Sequence, residues 1–220
     1  MTRHRRRHDE EDELSRDQRK QRTRESLLEA ALTLMSRGMS FTGLGLREVT
    51  REAGVVPTAF YRHFRDMDEL GLALVEEGGV TLRRLLREAR KGGVPLTHVI
   101  RNSVRIYTTF LRAHPREFLF VAGERSGGSP AIRAAVRREI QHFAAEMAAD
   151  LRTLNILPNL SMPSLQMICG LVVNTMISAA GDILDLPPKQ PRAEEELIDN
   201  FVKQLRLIFL GAVAWKEKAG

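Results

Sequence analysis

Cysteine occurs once in the 220 residues, at Cys169, so the chain can form neither an intrachain disulfide nor a multi-thiolate zinc site. A reducing cytoplasm is the compartment this suggests. Aromatic residues make up only 5%, with one Trp and two Tyr, and 9 Pro and 16 Gly exclude collagen-like and low-complexity classes. No secretory leader is visible, because the basic run at residues 3–8 passes directly into the acidic run at 9–13 with no apolar stretch behind it. Charge is missing altogether from residues 153–181, but Asn155, Pro158, Asn159, Pro163, Gln166 and Asn174 interrupt that segment. Its densest stretch, residues 167–180, falls short of the roughly 18 apolar residues a membrane span requires. A buried helix is expected there, and no membrane partner.

What is present is a helix-favouring mixture of 43% apolar and 28% charged residues. The length suits one large domain or two smaller ones, burying roughly 70% of the surface an unfolded chain exposes. Lys and Arg number 34 against 28 Asp and Glu, a net charge of +6. The surplus is uneven: residues 1–65 hold 14 basic and 10 acidic side chains, and residues 66–220 hold 20 and 18. Most of the attraction for an anionic partner therefore resides in the first third of the chain.

Hydrophobic spacing organises the sequence into helices. Residues 1–16 form a zwitterionic tail with too little apolar surface to order itself. Leu27, Leu28, Ala31, Leu32, Leu34 and Met35 recur at three- and four-residue intervals before Gly38. Residues 46–53 read as a short second helix broken by Gly54, and Pro57 opens a third that runs to about Phe64. Asp66 and Glu69 have capping-box spacing and start a long helix towards Ala89, which Gly92-Gly93 ends. Amphipathic stretches follow at 96–113, where His114-Pro115 acts as terminator, at 132–154, at 165–186 before Pro187-Pro188, and at 197–215. Residues 118–121 read as a short apolar piece before the breaker at 126–130. No strand alternation of any length appears, so the fold is expected to be all-α with about nine helices. The expected divisions are a tail at 1–16, a DNA-binding domain at 17–65 and a helical domain at 66–220.

Residues 46–64 carry the functional signal. Two short helices joined by a Gly-containing turn, behind a longer basic-ended helix, have the arrangement of a helix-turn-helix, whose second helix enters the major groove of DNA. In Pro57-Thr58-Ala59-Phe60-Tyr61-Arg62-His63-Phe64, the four-residue spacing puts Phe60 and Phe64 on one face, towards the core. Thr58 and Ala59 then offer a hydroxyl and a methyl to bases, Arg62 suits guanine or phosphate, and Tyr61 and His63 can donate to phosphates. Lys20, Arg22 and Arg47 surround this segment as phosphate contacts.

The stretch Leu46-Arg47-Glu48-Val49-Thr50-Arg51-Glu52-Ala53-Gly54-Val55, followed by Tyr61-Arg62-His63-Phe64, resembles the helix-turn-helix of TetR-family transcriptional repressors. Residues 65–71, 124–129 and 133–143 further resemble the FabR/DesT-type repressors of unsaturated fatty-acid synthesis. Three residues depart from the family pattern: Met67 stands where a lysine usually faces the DNA backbone, Gly45 where Ser or Thr caps the second helix, and Thr50 where a smaller residue sits at the helix crossing. The resemblance implies a homodimeric, cytoplasmic repressor that binds a double-stranded operator. It implies dimerisation through the last two helices and a long-chain acyl thioester such as acyl-CoA as effector, with no cofactor and no metal. A regulator of efflux or catabolism with an unrelated apolar effector is the alternative.

The residues suited to lining a tunnel for an aliphatic chain are Tyr107, Phe110, Phe118, Phe143, Met147, Leu171, Thr175 and Met176. Arg101, Arg105, Arg112, Arg116 and Arg125 are possible partners for a coenzyme A phosphate. No catalytic residue is expected: Cys169 lies in an apolar helix without ionisable neighbours in sequence, where a thiol stays protonated. Asn174 and Asp182, polar within that helix, are expected to find partners across a dimer interface.

Overall fold

Local stop and start signals divide the chain into rods. The computed structural model describes residues 16–90, 96–187 and 189–216, without the side chains of residues 81, 90, 96 and 97. The tail up to residue 15, with its basic and acidic runs, the Gly92-Gly93 stop and Pro188 lie outside the described residues. All regular structure among the described residues is helical: α1 (Arg16–Ser36), α2 (Leu46–Glu52), α3 (Pro57–Phe60), α4 (Met67–Arg90), α5 (Leu96–Ala113), α6 (Pro115–Gly127), α7 (Pro130–Thr153), α8 (Met162–Ser178, continued by Ala180–Asp185) and α9 (Pro191–Ala214), with a 3-10 turn at Phe41–Gly43. The chain forms two compact units that divide between Ala73 and Leu74, inside α4 rather than ahead of it.

In the first unit, α1 buries Leu27, Leu28, Ala31 and Leu34 against Val49 of α2 and Phe60 of α3, with Phe64 and Leu70 completing the core. The turn between α2 and α3 depends on Gly54, whose φ of +68° few residues with a Cβ adopt. Its N–H reaches Arg51 O at 3.2 Å and the next N–H, of Val55, reaches Thr50 O at 2.9 Å, so α2 is closed in the manner of a glycine C-cap. Gly38, at φ +92°, ends α1. Arg37 joins the end of α1 to α2 through two parallel bonds to Glu52, at 2.9 and 3.0 Å.

Three boundaries differ from expectation. The recognition helix proper ends at Phe60, and residues 61–63 continue as a tighter turn in which His63 N–H bonds Phe60 O at 2.8 Å. Pro115 does not merely stop α5; it occupies the first turn of α6, a full 13-residue helix, because a missing N–H costs nothing there. Finally, α8 is buried on one side only: Leu165, Ile168, Cys169 and Val172 enter the core, while Met167 and Leu171 are exposed. By length and composition alone Met162–Asp185 could cross a membrane. Its buried face instead makes it a core helix of the second unit, where it packs against α7 and α9.

Nothing lies within 4 Å of a Cβ built on Gly54, so a substitution there is opposed by the backbone alone. Gly54→Ala should lower stability by about 1–2 kcal/mol, and Gly54→Asn by less, in urea unfolding followed by circular dichroism.

Candidate nucleic-acid interface and effector cavity

Burial of Phe60 and Phe64, whose rings lie 5.6 Å apart, fixes which side of the α3 segment faces outwards. Thr58, Tyr61 and Arg62 are exposed, and Ala59 and His63 are half-buried. Lys20, Arg22 and Arg47 are exposed on α1 and α2. His63 draws part of this set together. Burial first, then the charges of Lys20, Arg24 and Arg62, hold its imidazole below the ordinary histidine range. Its buried Nδ1 has no hydrogen-bond partner. Arg24 also lies over the Phe64 ring, 5.4 Å from the centroid. The result is a cationic cluster beside an exposed Tyr-Arg pair, an arrangement suited to phosphate oxygens.

One residue in this region, Val56, was not anticipated from the sequence, and Arg24, one of the basic residues at the start of α1, takes a part in the cluster. Val56, 64% exposed at the N-cap of α3, offers an apolar contact beside Thr58. Arg24 contributes to the field at His63. The departures from the family pattern also have local consequences. Gly45 has no side chain to cap α2, and Glu48 compensates from within the helix by accepting the Gly45 N–H at 2.9 Å. Thr50 is buried and its hydroxyl donates to Arg47 O at 3.2 Å. Asp66 accepts the Glu69 N–H at 2.9 Å, a bond that foremost holds its carboxyl below the usual range. Glu69 reaches back to Arg65 N–H, at 2.5 Å, one residue earlier than in a standard capping box.

The second unit surrounds a predominantly apolar cavity that is open on one side. Tyr107, Phe118, Phe143, Met147 and Met176 all line it. Phe110 lies behind the lining, 5.9 Å from the Phe118 ring and stacked on His114 at 4.3 Å. Leu171 and Thr175, four residues apart on α8, lie outside the lining, and Leu171 is 52% exposed. On that helix Val172, Val173, Met176 and Ile177 face the cavity instead. Leu82 and Leu86 of α4 and Val99, Ile100 and Val104 of α5 form further parts of the wall. Buried Tyr107 donates to Met176 O at 2.8 Å, and burial raises its phenol well above the usual range, so it stays neutral.

Glu117, Glu139 and the adjacent Gly78-Gly79, none of them expected there, also line the cavity. Two consecutive glycines inside a helix were the available signal, since each costs roughly 1 kcal/mol relative to Ala and needs a local reason. The arginines considered for a coenzyme A phosphate are engaged elsewhere: Arg101 with Glu195 and Asp199, Arg105 with Glu195, and Arg112 with Glu194. Arg116 has a partner as well. Arg125 donates to Asn174 Oδ1 at 2.7 Å while Asn174 Nδ2 donates to Gly170 O at 2.8 Å, so Asn174 is satisfied within its own chain, contrary to expectation. Asp182 is exposed, and Cys169 is fully buried.

Comparison with known proteins agrees with both halves. Residues 27–74 match the model for bacterial regulatory proteins of the tetR family, and residues 96–205 match a tetracyclin repressor-like C-terminal domain. Among solved structures, the fatty acid degradation regulator FadR from Bacillus halodurans aligns with a TM-score of 0.64 at 13% identity, covering 86% of this chain and 95% of that one. The FadR regulator from Bacillus subtilis, in complex with stearoyl-CoA, aligns at 0.61 and 12%, covering 84% and 96%. A TetR-like transcriptional regulator from Rhodococcus sp. RHA1 aligns at 0.61 and 16%, covering 92% and 100%. At these identities the structures speak to fold alone. The two family models together account for most of the described chain, and the protein belongs to the TetR family of DNA-binding transcriptional regulators.

Proposed function

We propose that the protein is a cytoplasmic repressor of fatty-acid metabolism genes, those of unsaturated fatty-acid synthesis foremost, that binds a palindromic operator as a homodimer and responds to long-chain acyl thioesters. The observation that carries this reading is the apolar lining of the cavity, which suits an aliphatic chain better than a polar effector. The stearoyl-CoA held by the Bacillus subtilis neighbour supports the same ligand class. The resemblance of residues 124–129 and 133–143 to FabR/DesT-type repressors favours the biosynthetic branch.

Dimerisation is supported by an uncovered apolar face. Leu207, Leu210 and Val213 of α9 are 67%, 63% and 73% exposed, and Met167 and Leu171 lie exposed on α8, which packs against α9. Contiguous exposed apolar surface of this kind on a soluble domain marks an interaction site. Two copies joined there would present recognition segments to successive major grooves, roughly 34–36 Å apart. Leu210→Glu should give a monomer in sedimentation analysis and a loss of operator affinity.

At the DNA, Arg62→Ala should weaken operator binding by about 1–3 kcal/mol and relax preference at one base position. Lys20→Ala should lower the slope of log affinity against log salt by about one unit without changing preference. Fluorescence anisotropy across a set of mutated operators and salt concentrations measures both. Identical preference and slope in the two variants would remove these residues from the interface.

The ligand reading is tested by the same assay on DNA upstream of the protein's own and neighbouring genes, with saturated and unsaturated acyl-CoAs. Opposite effects of the two, with the unsaturated chain favouring the bound state, are expected. An operator that binds but responds to neither would discard the effector reading and leave DNA binding intact.

A further inference from the structure

Two glutamates interrupt an otherwise apolar cavity lining. Gly78 and Gly79 of α4 face Glu117 of α6 and Glu139 of α7, and all four line the space. The glycines make room: a Cβ on Gly79 would collide with the Glu139 carboxylate, and one on Gly78 would touch Glu117 Cβ at 4.0 Å. Glu139 is ion-paired with Arg83, whose Nε also lies 3.7 Å from Glu146, so one guanidinium is shared between two carboxylates. The Glu117 carboxylate has the His114 imidazole at 3.5 Å. Among the described residues, no Lys, Arg or His lines the cavity. The Tyr107 hydroxyl, a possible donor to an anion, is already spent on Met176 O.

An anion arriving here would meet two carboxylates and a guanidinium already divided, in partly buried surroundings that screen the repulsion less than open water does. A neutral carbonyl meets no such opposition. We propose that Glu117 and Glu139 are specificity-determining residues that act as a charge filter. They admit an aliphatic chain whose nearest polar group is an uncharged ester or thioester and reject the same chain ending in a free carboxylate. The inference rests on the aliphatic reading of the cavity given above and adds to it which chemical form of the chain is sensed. The charges of a thioester's carrier lie farther along the molecule, beyond the carbonyl, whereas those of a fatty acid lie on the chain itself.

The test is displacement of a neutral fluorescent probe, N-phenyl-1-naphthylamine, from the full chain by lauric acid and by methyl laurate at neutral pH. The acid should bind at least ~10-fold more weakly than the ester, the scale of a like-charge contact. Glu117→Gln should narrow that ratio to below about threefold, as one of the two repelling charges is removed. Glu139→Gln should narrow it further by freeing Arg83. Equal affinities in the unaltered protein, or a ratio unchanged in both variants, overturn the filter while ester binding leaves the aliphatic cavity standing. Failure of the ester to bind overturns the aliphatic reading and the filter with it. Should Glu139→Gln fail to fold for want of an Arg83 partner, Glu117→Gln decides alone, because the ratio within one variant is insensitive to its overall stability.

Discussion

A cavity inside a helical unit forfeits dispersion contacts on every wall it keeps apart, and close packing is the state to which apolar side chains otherwise relax. The second unit must therefore hold its helices at a spacing that their own side chains do not enforce. Polar contacts supply that spacing. Arg83 and Arg87 of α4 meet Glu139, Glu146 and Asp150 of α7. Arg101, Arg105 and Arg112 of α5 meet Glu194, Glu195 and Asp199 of α9. Tyr107 of α5 bonds α8, and Arg125 of α6 bonds Asn174 of α8. Partly exposed ion pairs contribute little stability each, roughly 0–1 kcal/mol. Their value here is direction and distance, with the stabilising burial coming from fully enclosed residues such as Leu111, Leu165 and Ile183.

The DNA-binding unit follows the opposite logic. Its recognition segment is too short to be a stable helix alone, since an isolated helix needs about 12–15 residues to be even marginal in water. It is held by Phe60 and Phe64, both almost fully buried against α1. Several of its helix ends are then closed by specific devices: Glu48 on Gly45, Gly54 after α2, and Asp66 with Glu69 at α4. A rigid head suits its task, because contacts to base edges depend on where side chains are placed.

This difference decides what could be read from the sequence. Gly38, Gly54, Pro57 and the Asp66–Glu69 spacing act within a few residues, so most helix boundaries of the first unit were legible, as was the outward face opposite Phe60 and Phe64. The shortened α3 was not, because an α-helix and a tight turn share the same residue spacing over one turn. Pro115 was ambiguous for a similar reason: it ends one helix and opens the next. The cavity is a long-range property. Tyr107, Phe118, Phe143, Met147 and Met176 were accessible to reasoning from residue type, but nothing local distinguishes them from Phe110 or Leu171, whose place depends on which neighbour covers each face. The arginines of α5 were read as free for a ligand because their partners are some ninety residues away in sequence, as for Arg101 with Glu195.

Helix α4 belongs to both logics. Its first turn is fastened by Asp66 and Glu69 within the DNA-binding unit, and from Val75 onwards it forms cavity wall through Gly78, Gly79, Leu82 and Leu86. Two adjacent glycines lower its intrinsic helix preference in that wall, and Arg83 and Arg87 follow within the next turns to pair with α7. The wall is therefore held by the burial of Leu82 and Leu86 and oriented by paired charges rather than by its own backbone preference. A ligand can shift a two-state equilibrium only by as much as it distinguishes the two states. A chain that changes how Glu139 lies against Gly79 would alter contacts to α4 in particular, and α4 is the helix whose first turns are part of the DNA-binding unit. The glycine pair thus leaves room for the acidic part of the cavity within the one helix that both units share.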